Sequence, residues 1–243
     1  MDKWRLIPCI EASGQVQMAI DTWLLEQHRM HRHPPTLRFY TWSPAAISLG
    51  YHQRQFPEFW KSLTWQGQAI ELVRRPSGGR AVLHQGDLTY AVITSGLGSN
   101  RMQAYQAICE FLIQGWKQLG IELQYGEAGR GYIHNPNCFG TATGADLVTK
   151  DGVKLIGSAQ LRREGAILQH GSMRIKPDAK LFAQVFEQEI DVIDVGMSID
   201  AITNTLTQAA REHFKINLVV RDLTDSEWSE IAAYASSGKS SFS

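Results

Sequence analysis

The 243-residue chain is poor in the features that mark whole classes of protein. Its three cysteines, Cys9, Cys109 and Cys138, are an odd set with no CxxC pair and no matching histidine cluster, which argues against a disulfide framework or a structural zinc site. Charge of one sign is not in excess: Lys plus Arg and Asp plus Glu each number 24, so the global field steers the chain toward neither nucleic acid nor an anionic membrane. No apolar run approaches the roughly 18 residues of a membrane helix, and residues 1–10 hold no apolar core of signal-peptide length, so a cytoplasmic protein is expected. Internal repeats and low-complexity linkers are also missing. One domain over residues 1–235 is therefore expected, with a Ser-rich, frayed tail at 236–243.

What is present is the composition of a folded globular protein, 43% hydrophobic and 20% charged, long enough to bury a sizeable core. Apolar residues at helical spacing predict helices over Gln15–His33 and, most clearly, Arg101–Leu119, whose buried stripe includes Cys109. A thiol in that setting is inert packing. Aromatic and β-branched runs predict strands at Thr36–Trp42, Ala46–Tyr51, Ala69–Arg74, Arg80–His84 and Leu88–Thr94. Further strands are predicted at Ile121–Tyr125, Ala145–Thr149, Lys154–Arg162, Ala166–Gln169 and Ser172–Lys176. A short helix is expected over Phe56–Gln66, and a closing helical set over Asp178–Phe186, Ile199–Phe214 and Asp225–Tyr234. Hairpin-spaced strands mixed with helices indicate an α+β fold with mixed or mostly antiparallel sheets rather than a doubly wound array. Gly126–Gly131 has the wrong spacing for a dinucleotide fingerprint and reads as a loop.

Three segments are too polar and too Gly-rich for their surroundings. In Arg74-Arg75-Pro76-Ser77-Gly78-Gly79-Arg80-Ala81-Val82-Leu83-His84, paired glycines let backbone approach a ligand and the arginines can fork onto phosphate or carboxylate oxygens; an ordinary turn with solvated arginines is the plainer alternative. In the run from Gly152 to Gln160, strand alternation puts Lys154, Ile156, Ser158 and Gln160 on one face and Leu155, Gly157, Ala159 and Leu161 on the other. Lys154 is either a solvated charge or the amine of a site with room beside it for a chain-like ligand. In Leu168-Gln169-His170-Gly171-Ser172, His170 is either a turn histidine or part of that site. Cys138 lies in Ile133-His134-Asn135-Pro136-Asn137-Cys138-Phe139, where no helical stripe buries it, a setting for a reactive thiol if a nearby cation such as Lys154 favours the thiolate. His134 reads as a loop residue.

Taken in order, these three segments resemble the biotin/lipoate protein ligase and lipoyl transferase superfamily over about Trp4 to Lys176. With Cys138-Phe139 ahead of Lys154, and the Arg38-Phe39-Tyr40 region, the chain is most similar to the cysteine-dependent octanoyltransferase branch called LipM. The resemblance implies the catalytic-domain fold of biotin and lipoate ligases, a class II synthetase-like fold. It implies transfer of octanoyl from acyl carrier protein, through a thioester on Cys138, to a lysine of an apo lipoyl domain or the glycine cleavage H protein. Cys138 and Lys154 would be catalytic. Arg75, Ser77, Gly78, Gly79, Arg80 and His84 of the first segment would bind substrate, with Gly157, Ser158 and Ala159 of the second and His170 and Gly171 of the third. No metal and no cofactor are implied, because the octanoyl group arrives on the carrier's phosphopantetheine. An ATP-dependent lipoate ligase is the competing enzyme, although Arg80 stands where ligases commonly carry a third glycine. A non-catalytic acyl-binding protein is the third reading.

Overall fold

A computed structural model describes residues 1–98, 100–126, 146–190 and 194–236. The chain runs β1 (Lys3–Ala12), α1 (Gly14–Arg29), β2 (Thr36–Trp42) and β3 (Ala46–Leu49), then a 3-10 turn at Glu58–Ser62. There follow β4 (Thr64–Trp65), β5 (Gln68–Ala69), β6 (Glu71–Arg74), β7 (Val82–His84), β8 (Asp87–Ser95) and α2 (Arg101–Gln118). The remainder is β9 (Leu123–Tyr125), β10 (Asp146–Thr149), β11 (Lys154–Arg163), β12 (Ala166–Arg174), α3 (Ala179–Phe186), α4 (Ile199–Phe214), β13 (Asn217–Val220) and α5 (Asp225–Ser236). Polar side chains fix four of the helix starts: Ser13, Asn100, Asp178 and Ser198 each accept from a backbone N–H of the first turn.

Eight strands form one sheet in the order β13-β1-β2-β8-β12-β11-β10-β9. Local connections explain its mixed character. β1 reaches β2 through α1, the crossover that parallel neighbours require, whereas β11 turns into β12 through Glu164-Gly165, both at positive φ, the tight turn that makes antiparallel neighbours. On one face, Ile20, Trp23 and Leu24 of α1 pack with Ala91, Ile93 and Leu168 of the sheet and Ile231 of α5. On the other, Ile108, Phe111 and Trp116 of α2 pack with Leu37, Val92 and Leu155 of the sheet and Leu206 of α4. Phe111 is fully buried, and sequestering such a ring contributes about 1.5–3 kcal/mol. A second, three-stranded sheet, β6-β3-β7, packs Ile47, Leu49 and Leu83 against Trp60 and the α3 residues Phe182 and Phe186.

The α+β architecture with mixed, largely antiparallel pairing agrees with the sequence reading, while several elements differ. β1 and β13 were not expected. They are parallel, and β1 contains Pro8 and a register shift between Ile7 and Ile10, so no clean alternation marks it. The two strands expected at 166–169 and 172–176 are one strand, β12, which runs through His170-Gly171. The helix expected over Phe56–Gln66 is a single 3-10 turn followed by the β4–β5 hairpin, closed by Gln66-Gly67 at positive φ. Helix α1 stops at Arg29, before His31 turns to φ 57°. Helix α5 continues through Ser236, expected to begin the tail; residues 237–243 lie outside the described residues. No described helix is long and apolar enough to cross a membrane.

Candidate active site

Between the two sheets lies a cleft with an empty volume of about 420 Å³, its open mouth included. Tyr40 and Trp42 of β2, Gly157, Ser158 and Ala159 of β11 and His170 and Gly171 of β12 line it from the eight-stranded sheet, Val82 and His84 of β7 from the three-stranded sheet, and Met18 from α1. Gly79 and Arg75 close the end formed by the glycine segment. The second and third sequence motifs meet here because β11 and β12 are register partners, Ser158 opposite Gly171 and Ala159 opposite His170.

Two buried Ser–His–Asp arrays border this cleft. In the first, His170 Nδ1 lies 2.8 Å from Asp21 Oδ2 and Nε2 lies 2.5 Å from Ser77 Oγ. Burial alone would raise the Asp21 carboxyl, but Arg38 at 2.9 Å, His170 and the Tyr40 hydroxyl at 2.9 Å hold it below the usual carboxylate range. An ionised Asp21 accepts from Nδ1–H and so fixes the orientation of the imidazole, with Nε2 facing the Ser77 hydroxyl. In the second, His84 Nδ1 is 2.9 Å from Asp87 Oδ2 and Nε2 is 2.8 Å from Ser48 Oγ. The same Asp87 oxygen accepts from Ser172 at 2.7 Å and Thr89 at 3.2 Å. Burial outweighs Asp87 and lowers the His84 pKa, so this ring is neutral at pH 7; Trp42 stacks on it at 3.7 Å between centroids.

The second array continues into Arg75, whose fork is engaged within the chain. Arg75 gives Nη1 to the Ser48 carbonyl at 2.8 Å and hydroxyl at 3.2 Å, and Nη2 to the carbonyls of Gly78 at 2.9 Å and Arg80 at 2.6 Å. Its Nε also donates to Gly78. Arg74 is spent in the same way on the carbonyls of Gly50 and Gln53. Arg75 thus shapes the Ser77–Arg80 turn from within. Glycine is required at Gly79, with φ 97° and Arg75 Nη2 only 2.7 Å from where a Cβ would stand, and at Gly50, whose Cβ would meet the Gly79 carbonyl.

On β11 the predicted alternation holds from Ser158 onward, but Leu155 and Ile156 both pack in the α2 cluster, because a register shift against β10 leaves Leu155 without a partner there. Ser158 Oγ meets the Tyr90 hydroxyl at 2.8 Å and Gln160 donates to Gln169 at 3.0 Å, both on the α2 side, whereas Leu161 packs with the α1 cluster. Gln169 in turn donates to Tyr90 at 3.0 Å and to Cys109 Sγ at 3.4 Å. Burial pushes the Cys109 thiol up to about 12, consistent with inert packing. Lys154 is not a solvated charge: it is 4% exposed, with Nζ 2.9 Å from Asp146 Oδ1. It lies outside the lining of the cleft. Cys138, His134 and all but the first residue of the Gly126–Gly131 segment lie outside the described residues, so the expected approach of Cys138 to Lys154 has no described geometry.

The family model of the lipoyl protein ligase A/B catalytic domain matches residues 13–226. An octanoyltransferase LipM of Kyrpidia tusciae is 38% identical, with 75% of this chain and 70% of the relative aligned. LipM of Halalkalibacterium halodurans is 30% identical across 97% of this chain and 95% of the relative. The chain belongs to the LipM octanoyltransferase family. Its fold is shared more widely: a protein of T. acidophilum described as a lipoate protein ligase, solved with bound lipoic acid, superposes with a TM-score of 0.78 at 24% identity over 95% of this chain and 94% of that one.

The LipM motifs account for part of the site. Gly79, His84, Gly157, Ser158, Ala159, His170 and Gly171 line the cleft, whereas Ser77 reaches it only through His170 and Arg80 contributes a carbonyl to Arg75. Gly78 supplies a carbonyl to the same guanidinium and lines a neighbouring cavity. Asp21, Arg38, Tyr40, Trp42, Ser48 and Asp87 were missing from the candidates. Asp21 left a signal, a charged residue inside the apolar stripe of α1 between Ile20 and Leu24. Ser48 left none.

Proposed function

We propose that this octanoyltransferase takes octanoyl from acyl carrier protein, holds it on Cys138, and delivers it to a lysine of a lipoyl domain or the glycine cleavage H protein, as one catalytic domain over residues 1–235 acting in the cytoplasm. In the first step the Cys138 thiolate attacks the donor thioester carbonyl; the carrier's sulfur leaves as a thiol and the acyl group remains as an enzyme thioester. In the second, the unprotonated lysine amine attacks that thioester, loses a proton, and releases Cys138 as an amide forms. Thioester exchange is nearly balanced and amide formation is downhill, so the cycle requires no nucleotide. The acyl chain occupies the cleft between the sheets. The carrying observation is that residues of all three motifs, Gly79, Val82 and His84 of the first, Gly157–Ala159 of the second and His170-Gly171 of the third, line that one cleft. Lys154, anchored to Asp146, serves the first step by polarising the acyl carbonyl or stabilising the thiolate.

Intact-mass measurement after mixing with octanoyl carrier tests this reading. One added octanoyl group is expected, lost in Cys138→Ala and retained in Cys9→Ala. With an apo lipoyl domain added, octanoylated domain should form without nucleotide and in the presence of chelator. Product formed only from free octanoate or lipoate with ATP and magnesium would establish a ligase instead.

A further inference from the structure

A second cavity adjoins the cleft and differs from it in chemistry. It is open, with an empty volume of about 1,350 Å³ counting its mouth, and shares Gly79, Ser158 and Ala159 with the cleft. Its outer wall carries the basic side chains Arg101, Arg163 and His52, and no carboxylate is among its described lining residues. This local bias stands out in a chain whose formal net charge is +0.

The three basic groups are not equivalent. Arg163 is already paired with Glu26 at 2.7 Å, and Glu26 also holds Arg29 at 2.8 Å. Arg101 makes no ion pair among the described residues and is exposed. Its position is nevertheless set, since Arg162 on β11 donates to the carbonyls of Leu97 at 3.4 Å and Asn100 at 3.2 Å, tying the start of α2 to the strand that forms the shared wall. Met102 and Tyr105 flank it in the same cavity.

We infer that this outer cavity receives the phosphate-bearing arm of the acyl donor, with the Arg101 guanidinium as the contact for the phosphodiester. The inference rests on the proposed octanoyl transfer: with the acyl chain in the cleft, the arm beyond its thioester leaves across the Gly79–Ser158–Ala159 wall into the basic space. Guanidinium is the group suited to that task, because its planar fork matches phosphate oxygens. Acylation of the enzyme by octanoyl-pantetheine and by octanoyl-phosphopantetheine, which differ only in the phosphate, tests it. In the wild type the phosphorylated donor should have the higher kcat/KM, through a lower KM, and the advantage should shrink with added salt.

Arg101→Glu should reduce kcat/KM for the phosphorylated donor by about tenfold while leaving the unphosphorylated one unchanged. Folding is not at risk, since a carboxylate in the first turn of α2 suits the helix dipole, and thermal denaturation verifies this. Arg101→Gln, which removes charge without reversing it, should fall between. Equal loss on both donors, or none on either, overturns the assignment. Loss seen only with intact carrier assigns Arg101 to the carrier's protein surface and also overturns it. If the wild type accepts octanoyl from neither small donor nor carrier, the transferase reading itself fails, an outcome distinct from a donor that reacts without sensing Arg101.

Discussion

His170 on β12 and Asp21 on α1 meet at 2.8 Å, joining the helix to the central sheet through a charged group buried beside the cleft. The carboxylate survives burial only because Arg38, His170 and Tyr40 surround it. Asp21→Asn should therefore destabilise the fold by about 3–5 kcal/mol, the cost of leaving the buried Arg38 without its counter-charge. Urea unfolding measures it; a loss below about 1 kcal/mol would show that Arg38 finds compensation elsewhere.

The same pair fixes a pH dependence. The folded Asp21 pKa lies below its unfolded value, so its contribution is complete above the unfolded value, about 3.9, and is lost as pH falls through the folded one. Glu227, held by Arg5 at 2.6 Å, adds to the same acid branch: although burial opposes it, the Arg5 pairing and the Thr224 N–H lower its pKa to about 2. Stability measured from pH 6 down to pH 2 should fall more gently in Glu227→Gln than in the wild type. Parallel curves would remove Glu227 from the account.

Gly171 provides a steric test. A Cβ there would stand against the Ser158 hydroxyl and 2.7 Å from a Tyr90 ring carbon, atoms fixed by their mutual hydrogen bond and by Gln169. Gly171→Ala should cost about 1–3 kcal/mol as overpacking. It should also raise KM for the octanoyl donor, because Ser158 and Gly171 both line the cleft. An unchanged KM in a folded Gly171→Ala protein would place the acyl chain elsewhere.

Much of this site was legible in the sequence because short motifs lie on register-paired strands. Gly157–Ala159 and His170-Gly171 are polar and small where their neighbours are apolar, and alternation along β11 assigned Ser158 and Gln160 to one face. Partners contributed by other elements were not legible. Asp21, Arg38 and Ser48 sit within ordinary helix and strand patterns, and nothing along the chain brings Ser48 to His84, since that contact is made by the β3–β7 pairing. The internal partners of Arg75 were not legible for a related reason. Composition shows that a fork is present, whereas the carbonyls of Ser48, Gly78 and Arg80 that occupy it converge only in the folded turn. β1 and β13 escaped notice because parallel pairing leaves no hairpin signal.

Arg75 allows the sharpest separation of shape from charge. A lysine in its place keeps the charge and loses the fork, leaving the Gly78 and Arg80 carbonyls and the Ser48 hydroxyl short of a donor. Arg75→Lys should cost about 1–3 kcal/mol in stability, and kcat/KM should fall because the Gly79 wall of the cleft loosens. Ser48→Ala removes a partner of both Arg75 and His84, so the two substitutions share one network and their effects should not add. A double-mutant cycle on unfolding free energy and on kcat/KM measures this, with a coupling of about 0.5–3 kcal/mol expected in each. Additivity in both would mean that Arg75 shapes the turn independently of the Ser48–His84–Asp87 array, and that the array fixes β3 to β7 without reaching the glycine segment.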